Sequence, residues 1–252
     1  MSAQCVLVTT TFSKSPDELR FCLAQETVKR SRECGYPIIV VDGSPDVRNQ
    51  SILAAAGAFV FSEEPPGMGA SRRQAIRAGL DFSSGTADVI VWLEPEKHPM
   101  VALLPPLVSA VASGQYDLVI PKRRTLDSYP RYQAASEHLA NLALGAITGR
   151  PDLDLYVGPR VMSRTVAQEC FLSYEGTYGD NWESIFLPVL SALAQGKRVG
   201  SITVDYVHPP EQTAAEATPG IDRKRDVQRV EVIAAMARAA KDLGFCPPLQ
   251  PV

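Results

Sequence analysis

The sequence predicts an α/β protein in which a mostly parallel sheet is flanked by helices and followed by a C-terminal helical extension. Three observations support this prediction. Strand-like apolar runs alternate with helix-like segments, and the earliest of them stand in strand, helix, strand order. The apolar runs are continuous, which is typical of strands buried on both faces. The 252 residues, 45% of them hydrophobic, suffice for a sizeable core.

The first strand–helix–strand unit carries the clearest local signals. The β-rich run CVLVTTTF precedes a segment with Ser15 as N-cap, Pro16 at the first helical position and Glu18 three residues after the cap. This arrangement is a capping box. Gly35 is a helix stop signal, and YPIIVVDGSPD follows as a second buried strand. We therefore predict a helix between Ser15 and Gly35 that joins two parallel strands.

The alternation of strands and helices continues along the chain. The next predicted elements are a helix over 47–56, a strand at AFVF, a helix over 69–80, a strand over 89–93, a strand at YDLVIPK and a helix over 131–147. DLDLYVGPRVMSR indicates an extended segment that turns back into a helix. DNWESIFLPVLSALAQG predicts a helix ending at Gly196 despite Pro188, and KRVGSITVDYVHP predicts a last strand that reaches His208.

The end of the chain is predicted as an extension of one domain. The segment PEQTAAEATPG is polar and is predicted as a loop, and residues 221–245 form an amphipathic helix pattern. No repeat or linker divides the sequence. We therefore predict one domain over 1–212 and an extension over 213–252 that packs on the domain or extends from it.

Charge and composition exclude several classes of function. The formal charge of −3 and a pI near 5.7 give no basic surface for nucleic acid, and the short basic runs KRR and DRKRD are typical of solvated faces. The sequence shows neither a transmembrane segment nor a signal-peptide pattern, so we expect a cytoplasmic protein. The five scattered cysteines are predicted to be reduced, and most of them to be packing residues. Whether the chain forms a homodimer stays open.

Polar residues follow several of the predicted strands. Ligands of open parallel sheets bind beyond the carboxyl ends of the strands. These ends carry residues 9–11, Asp42, residues 94–96 and His208. Each of them has an alternative explanation as an ordinary turn or solvated loop residue. Together they would lie along one rim, where they could bind one ligand.

The loop in EEPPGMGASRRQAI is a candidate anion site. Gly67 and Gly69 permit a tight turn with exposed amides at a helix N-terminus, where anions bind. Arg72 and Arg73 lie in the first turn of the predicted helix, where basic residues oppose the helix dipole unless an anion compensates. A phosphate suits this site. The glycine patterns of a P-loop and of a dinucleotide-binding turn are both missing, which excludes P-loop chemistry and disfavours a dinucleotide-binding fold.

The motifs VTTTF, VVDGSPD, GMGASRRQAI, VIVWLEPEKHP, GDNWE and VDYVHPPEQ stand in the order found in a known family. Over residues 4–212 the chain resembles the GT-A glycosyltransferases, both family-2-type enzymes and the retaining mannosylglycerate and glucosyl-phosphoglycerate synthases. The resemblance implies a Rossmann-like sheet that binds a nucleotide-diphosphate sugar and passes its sugar to a small acceptor, for which an anion is one alternative. The donor-binding residues that it implies are Thr9, Thr11 and Asp42 at the nucleoside, and Gly69, Arg72 and Arg73 near the diphosphate.

The resemblance also implies a divalent metal. The family's Asp-x-Asp motif after the fourth strand holds a metal that bridges the sugar diphosphate, and Glu94 and Glu96 match its position. Glutamate is one methylene longer but is also a hard oxygen ligand for Mg²⁺ or Mn²⁺. A histidine after the last strand is a second metal ligand in the retaining synthases, and His208 matches it, which favours Mn²⁺. The implied metal ligands are Glu96 and His208, with Glu94 beside the donor.

Two acids in GDNWE are candidate catalytic residues. Inverting members of the family use a carboxylate base before a late helix, and Asp180 or Glu183 lies near that place. The same two residues would also fit a helix cap, with Asp180 as N-cap and Glu183 three residues later. The block from WESIF to VDYVH is more similar to the retaining group, which needs no dedicated base, so we favour retention.

The second half of the chain holds the candidate acceptor site. Similar enzymes bind a charged small acceptor there, although basic loop residues are also commonly solvated. The candidates are Lys122, Arg123, Tyr129, Arg131, Gly158 and Arg160. Two alternatives to a transferase stay open: a noncatalytic nucleotide-sugar binder, which the missing Asp-x-Asp admits, and a sugar-nucleotide pyrophosphorylase, which the missing G-T-R turn disfavours.

Overall fold

A mostly parallel sheet forms the centre of the computed structural model, which describes residues 5–82, 88–176, 178–218 and 221–245. In these residues it has seven strands in the order β3-β2-β1-β4-β6-β5-β7. Strands β1 to β4 are parallel, β6 lies antiparallel between β4 and β5, and β7 is parallel to β5. The strands are β1 (Cys5–Thr11), β2 (Ile38–Asp42), β3 (Phe59–Ser62), β4 (Val89–Trp92), β5 (Leu118–Arg123), β6 (Arg160–Ser163) and β7 (Val199–Val204). The predicted fold class is confirmed.

Helices cover the sheet and follow its strands. They are α1 (Leu19–Glu33), α2 (Arg48–Ala56), α3 (Met68–Phe82), α4 (Leu104–Ala112), α5 (Arg131–Thr148), α6 (Arg164–Val166), α7 (Leu187–Ala194), α8 (Pro210–Glu216) and α9 (Ile221–Asp242). Short 3-10 segments span His98–Leu103, Leu155–Val157 and Trp182–Ile185, and a π-helical turn, Ala167–Leu172, continues α6.

The central strands are the continuous apolar runs of the sequence. Every residue of β2 and β4 is buried, because helices pack on both faces of the sheet there. Thr11 pairs with Asp42 at the carboxyl ends of β1 and β2, whereas Trp92 at the carboxyl end of β4 pairs with Val8 within β1. The polar residues that follow these strands therefore come out on one rim of the sheet.

Strand β6 runs opposite to β4, and this places new residues at that rim. Trp92 at the carboxyl end of β4 pairs with Arg160 at the amino end of β6. The segment before β6, including Gly158, consequently lies beside Glu94, which follows β4. Sequence patterns indicated an extended segment here but not its direction.

The first helix begins later than the capping signals predict. The structure has α1 starting at Leu19, with Glu18 in an extended conformation at the cap position. The Ser15 hydroxyl accepts a hydrogen bond from the Asp17 amide at 3.1 Å, and the Glu18 carboxylate accepts one from the Lys14 amide at 2.7 Å. These side chains stabilise a turn before the helix, so the predicted start at Ser15 is wrong.

Two predictions near the C-terminus are also wrong. The helix predicted through Pro188 is a 3-10 segment followed by α7, and Pro188 lies in the first turn of α7, where its missing N–H costs no hydrogen bond. The segment predicted as a loop after His208 is helix α8. Pro210 begins α8 and Glu211 lies in its first turn, which are both favourable at a helix N-terminus.

The C-terminal helix packs on the rest of the chain. Helix α9 contacts α5, α7 and the 3-10 segment Trp182–Ile185, and it buries Val232 and Met236. The division of the chain at residue 212 stays a prediction, and α8 spans that position.

The four cysteines in the described part of the chain are free, and two of them pack as predicted. Cys5 and Cys170 are buried. Cys22 and Cys34 are exposed and therefore do not have a packing role. Cys246 lies outside the described residues.

Candidate functional site

A cavity of about 360 Å³ lies at the carboxyl ends of the parallel strands. Residues that follow β4, β5 and β7 line it, and α5, α8, α9 and the segment Trp182–Ile185 complete its walls. Its acidic side chains are Glu94, Glu96, Glu137 and Glu216, and its basic ones are Arg20, Arg72, Lys97, Lys224, Arg225 and Arg229. Tyr129, Gly158, Trp182 and His208 also line it.

Glu94 is a buried acid without a full set of partners. Its Oε2 atom has no hydrogen-bond partner among the described residues, and its carboxylate lies against Gly158. Gly158 has a φ of +96°, and a Cβ atom at this position would overlap the Glu94 carboxylate. Burial raises the pKa of Glu94, although nearby Lys97 opposes the shift. Glycine at 158 is therefore what makes room for Glu94.

Glu96 is held as a carboxylate by Arg20. The Arg20 guanidinium donates to Oε1 of Glu96 at 2.5 Å, and Oε2 is buried without a partner among the described residues. Burial alone would raise the pKa of Glu96, but Arg20 outweighs this and lowers the pKa to about 2. One oxygen of a Glu96 carboxylate that is ionised at neutral pH therefore remains for a further donor or a cation.

His208 is a neutral imidazole whose second nitrogen lacks a donor. Burial lowers the pKa of His208 to about 4. Its Nδ1 lies 2.8 Å from the Thr213 hydroxyl, which gives its single hydrogen to the carbonyl of Ser128 at 2.9 Å. In the tautomer that suits these hydrogen bonds, Nδ1 carries the ring proton and Nε2 carries a lone pair. A lone pair on Nε2 is the form in which histidine binds a metal.

Nε2 of His208 faces a second acid that the sequence did not suggest. It lies 3.6 Å from Oε2 of Glu216, and that oxygen has no hydrogen-bond partner in the part of the chain that the structure describes. The other carboxylate oxygen of Glu216 pairs with Arg225. No three side chains of the metal-ligating types cluster closely enough to hold an ion among the described residues. A cation here would need further oxygen ligands from a substrate or from water.

The residues predicted for the nucleoside form a separate polar corner. Asp42 accepts hydrogen bonds from the hydroxyls of Thr11 at 2.7 Å and Ser44 at 2.6 Å. Its Oδ2 atom and the Thr9 hydroxyl are buried and have no hydrogen-bond partner among the described residues. Thr9, Thr11 and Asp42 thus lie together, as predicted from their strand ends, but they do not line the cavity.

The predicted anion site at the start of α3 holds an acid of the same chain. The Gly69 amide donates to the Asp180 carbonyl at 3.0 Å, and Arg73 binds the Asp180 carboxylate through two nitrogens at 2.6 and 2.8 Å. A Cβ atom on Gly69 would overlap this carboxylate. Asp180 is therefore the anion that compensates the basic first turn. Gly69, Arg73 and Asp180 do not line the cavity.

The Arg72 side chain, unlike that of Arg73, lines the cavity. Its guanidinium donates to the Asn181 carbonyl at 2.9 Å and to the Ser184 hydroxyl at 2.6 Å, and it lies 5.4 Å from the Trp92 ring centroid. Its Nε has no partner among the described residues. Burial lowers the pKa of Arg72 to about 10, which still leaves it charged at neutral pH.

The acids proposed as base or helix cap do not form the predicted cap. The 3-10 segment begins at Trp182 with Asn181 in the cap position, and Asp180 pairs with Arg73 instead. Glu183 is buried and accepts a hydrogen bond from the Asn181 amide at 3.5 Å. Glu183 does not line the cavity either.

The predicted acceptor residues divide into three groups. Tyr129 and Gly158 line the cavity. Lys122 and Arg131 are exposed and do not line it. The two remaining residues, Arg123 and Arg160, are buried beneath the site and are engaged with the chain itself.

Those two buried arginines have structural partners. Arg123 binds Asp154 at 2.7 and 2.8 Å and Glu137 at 2.7 Å, so the prediction of a solvated KRR run is wrong at this residue. Arg160 has no exposed surface and donates to the carbonyls of Gly158, Pro159 and Leu155 at 2.8–2.9 Å. It holds the turn that brings Gly158 to Glu94.

Several cavity residues were missed by the sequence analysis. Arg20 lies on α1, and Lys224, Arg225 and Arg229 lie on α9. The run DRKRD was assigned to a solvated face, which is wrong for Arg225 because its guanidinium pairs with Glu216 at the cavity. An amphipathic pattern indicates that a helix packs on the protein, but it does not indicate which cavity the polar side chains of that helix line. Lys97 stood directly after Glu96 and could have been singled out by that position.

The strand order, with β6 antiparallel, and the acids beyond β4 define the GT-A fold that the sequence predicts. Solved structures share it. Glucosyl-3-phosphoglycerate synthase from Mycobacterium tuberculosis, in complex with Mn²⁺, UDP-glucose and phosphoglyceric acid, matches with a TM-score of 0.64 at 15% identity, over 98% of this chain and 82% of that chain. The same enzyme with Mg²⁺ and UDP gives 0.62 at 15% identity over 98% and 82%. A further structure of it gives 0.61 at 17% identity over 98% and 83%.

At these identities the likeness establishes the fold. The chain matches no protein-family model and no curated protein sequence. Within the described residues, no helix is both long and apolar enough to cross a membrane.

Proposed function

We propose that this protein is a glycosyltransferase that moves a sugar from a nucleotide-diphosphate sugar to a small, anionic acceptor with the help of a divalent cation. The observation that carries the proposal is the meeting of Glu96 and His208 in one cavity on a GT-A fold. Both line the cavity although they are more than a hundred residues apart in the chain. The neighbouring synthase binds UDP-glucose, phosphoglyceric acid and Mn²⁺ on the same fold, which supports the proposed ligands.

The residues present fit a divalent cation. Glu96 has one buried, unpartnered oxygen among the described residues, and Nε2 of His208 has a lone pair. We assign these two atoms as the protein ligands, with the remaining positions left to substrate oxygens and water. When bound, the cation would neutralise charge that develops on the leaving diphosphate. The nitrogen ligand favours Mn²⁺ over Mg²⁺.

The chain's own side chains would prepare the same cavity for transfer. Arg72 is held by its hydrogen bonds to the segment Trp182–Ile185 and presents fixed positive charge to a diphosphate. Trp182, Ile185 and Phe186 give the cavity an apolar wall that limits the entry of water. Asp42 with Thr9 and Thr11 remains our proposal for the nucleoside, because the unpartnered Oδ2 can accept a hydrogen bond from a base or ribose.

We propose retention of the anomeric configuration. Asp180 is engaged with Arg73, and neither Asp180 nor Glu183 lines the cavity, so neither acid is presented as a base. Gly69, Arg73, Asp180 and Glu183 would then hold the cavity-lining segment Trp182–Ile185 against α3. The donor-binding roles predicted for Gly69 and Arg73 and the catalytic roles predicted for Asp180 and Glu183 stay predictions.

A transfer assay tests the proposed function. The protein is incubated with Mn²⁺, a panel of nucleotide sugars that includes UDP-glucose, and 3-phosphoglycerate. Mass spectrometry should detect a glycosylated acceptor together with the released nucleoside diphosphate. Tight binding of a nucleotide sugar without any turnover across the panel would contradict the proposal and favour a noncatalytic binder.

We also propose a cytoplasmic homodimer. The free cysteines support a reducing compartment. Exposed apolar side chains on two helices that pack together support a dimer: Leu139 and Leu142 on α5, and Val227 and Val230 on α9. Light scattering that gives the mass of a monomer at micromolar concentration would refute the dimer.

A further inference from the structure

Lys97 is a charged cavity residue to which the proposed function gives no role. It follows Glu96 directly, lines the cavity and is only 8% exposed. Its ammonium group lies 5.5 Å from the Tyr206 ring centroid and makes no hydrogen bond or salt bridge to any residue that the structure describes. Burying an ammonium group without a hydrogen-bonded partner costs free energy of folding. A buried lysine of this kind therefore suggests that the side chain has a functional role.

The charges around Lys97 do not provide such a partner. Glu96 is paired with Arg20, Glu216 with Arg225, and Glu137 with Arg123 and Arg229. These pairs account for three of the four acids that line the cavity. The cavity is lined by six basic and four acidic side chains, so its wall is formally positive.

Glu94 is the remaining acid, and it forms no salt bridge with Lys97. The Glu94 carboxylate lies against Gly158 and its Oε2 stays unpartnered among the described residues. The groups that interact with Lys97 from other elements are the phenols of Tyr129 and Tyr206, the Arg123 guanidinium, the Glu137 carboxylate and the His208 ring. The buried hydroxyls of the two tyrosines also lack hydrogen-bond partners among the described residues.

We propose that Lys97 binds an oxyanion of a substrate in this cavity. An ammonium group offers three hydrogen-bond donors and a compact charge, which suits a phosphate or carboxylate. The anion is either the diphosphate of the sugar donor or the acidic group of the acceptor. The inference rests on the proposed function and deepens it, because it assigns fixed positive charge next to the Glu96 and His208 pair.

Calorimetry with Lys97→Met tests the inference. The probes are pyrophosphate and UDP for the donor, 3-phosphoglycerate for the acceptor, and uridine as a neutral reference. We expect Lys97→Met to weaken binding of the anionic probes of one source by about tenfold or more and to leave uridine binding unchanged. Loss for pyrophosphate and UDP assigns Lys97 to the donor, and loss for 3-phosphoglycerate assigns it to the acceptor.

Matched variants separate binding from structure. Lys29→Met removes an exposed lysine of α1 and should leave all affinities unchanged. Lys97→Arg should restore part of the anion affinity. If Lys97→Met does not fold, Lys97→Gln replaces it, and reductive methylation of the wild-type protein provides an independent readout. Pyrophosphate or 3-phosphoglycerate should then slow modification of Lys97 but not of Lys29.

Three outcomes would overturn the inference. They are unchanged affinity of Lys97→Met for every anionic probe, an equal loss for uridine and the anions, and a wild-type protein that binds none of the anions. The proposed function fails separately, when the wild-type protein binds these probes but transfers no sugar from any nucleotide sugar.

Discussion

At the scale of single residues, the two acids after β4 differ because their surroundings differ. Glu94 packs on Gly158 and burial raises its pKa, whereas Arg20 lowers the pKa of Glu96 to about 2. The position of both acids directly after a predicted parallel strand indicated that they would lie at the ligand-binding edge of the sheet. It could not predict this difference, because Arg20 comes from α1, more than seventy residues earlier in the chain.

The ion pair between Arg73 and Asp180 gives a test at this scale. We expect Asp180→Asn to fold and to keep transfer activity within about tenfold, because its carboxylate binds Arg73 and does not line the cavity. The measurement is kcat with nucleotide sugar and acceptor, alongside the melting temperature. A folded variant with activity reduced by about a thousandfold or more would instead identify Asp180 as the catalytic base.

At the scale of elements, predictions succeeded where local chemistry dominates. Continuous apolar runs identified β1, β2 and β4, and the amphipathic pattern near the C-terminus identified α9. The antiparallel direction of β6 could not be predicted, because its four residues, RVMS, carry no information on strand direction. Helix α8 was missed since its polar composition resembles a loop, although Pro210 followed by an acid is a helix start signal.

The approach of β6 to β4 depends on Gly158 and can be tested there. Gly158→Ala should displace Glu94, lower the melting temperature and weaken UDP binding, because its Cβ would overlap the Glu94 carboxylate and its φ is +96°. Gly196→Ala is the matched control: it also has a positive φ, +70°, but no atom lies within 4 Å of the added Cβ. Gly196→Ala should cost stability of about 1 kcal/mol without changing UDP affinity. Equal effects of both variants on UDP binding would argue against a special role of Gly158.

At the scale of the whole molecule, a buried charge network joins β5 to α5 and to the segment before β6. Arg123 on β5 binds Glu137 on α5 and Asp154 before β6. Burial alone would raise the pKa of both carboxyls, but Arg123 outweighs it and lowers the pKa of Glu137 and of Asp154. The sequence suggested Arg123 as an acceptor-binding residue. Its partners, Glu137 and Asp154, could not be foreseen because only folding brings them to Arg123.

The network sets a pH dependence of stability. Since both folded pKa values lie below their unfolded values, the stabilisation is fully present above about pH 5 and is lost as pH falls through the folded values. Arg123→Met should lower the free energy of unfolding by about 3–5 kcal/mol at pH 7, because it leaves the buried Asp154 carboxylate without an ion-pair partner and Glu137 with Arg229 alone, and by less at pH 4, where these carboxylates can be protonated. Urea unfolding at both pH values measures this. The control is Arg124→Met, which removes the exposed partner of Asp205 and should change the free energy of unfolding at neither pH. An equal loss of stability at both pH values for Arg123→Met would contradict the account.

The most direct test of the central claim, that Glu96 and His208 hold a metal-bound donor diphosphate, is a calorimetric titration of UDP with and without Mn²⁺. In the wild-type protein we expect Mn²⁺ to tighten UDP binding by about tenfold or more, and in Glu96→Gln this gain should disappear while the melting temperature shows an intact fold. Equal UDP affinity of the wild-type protein in Mn²⁺ and in chelator, or an undiminished Mn²⁺ effect in folded Glu96→Gln, would contradict the claim.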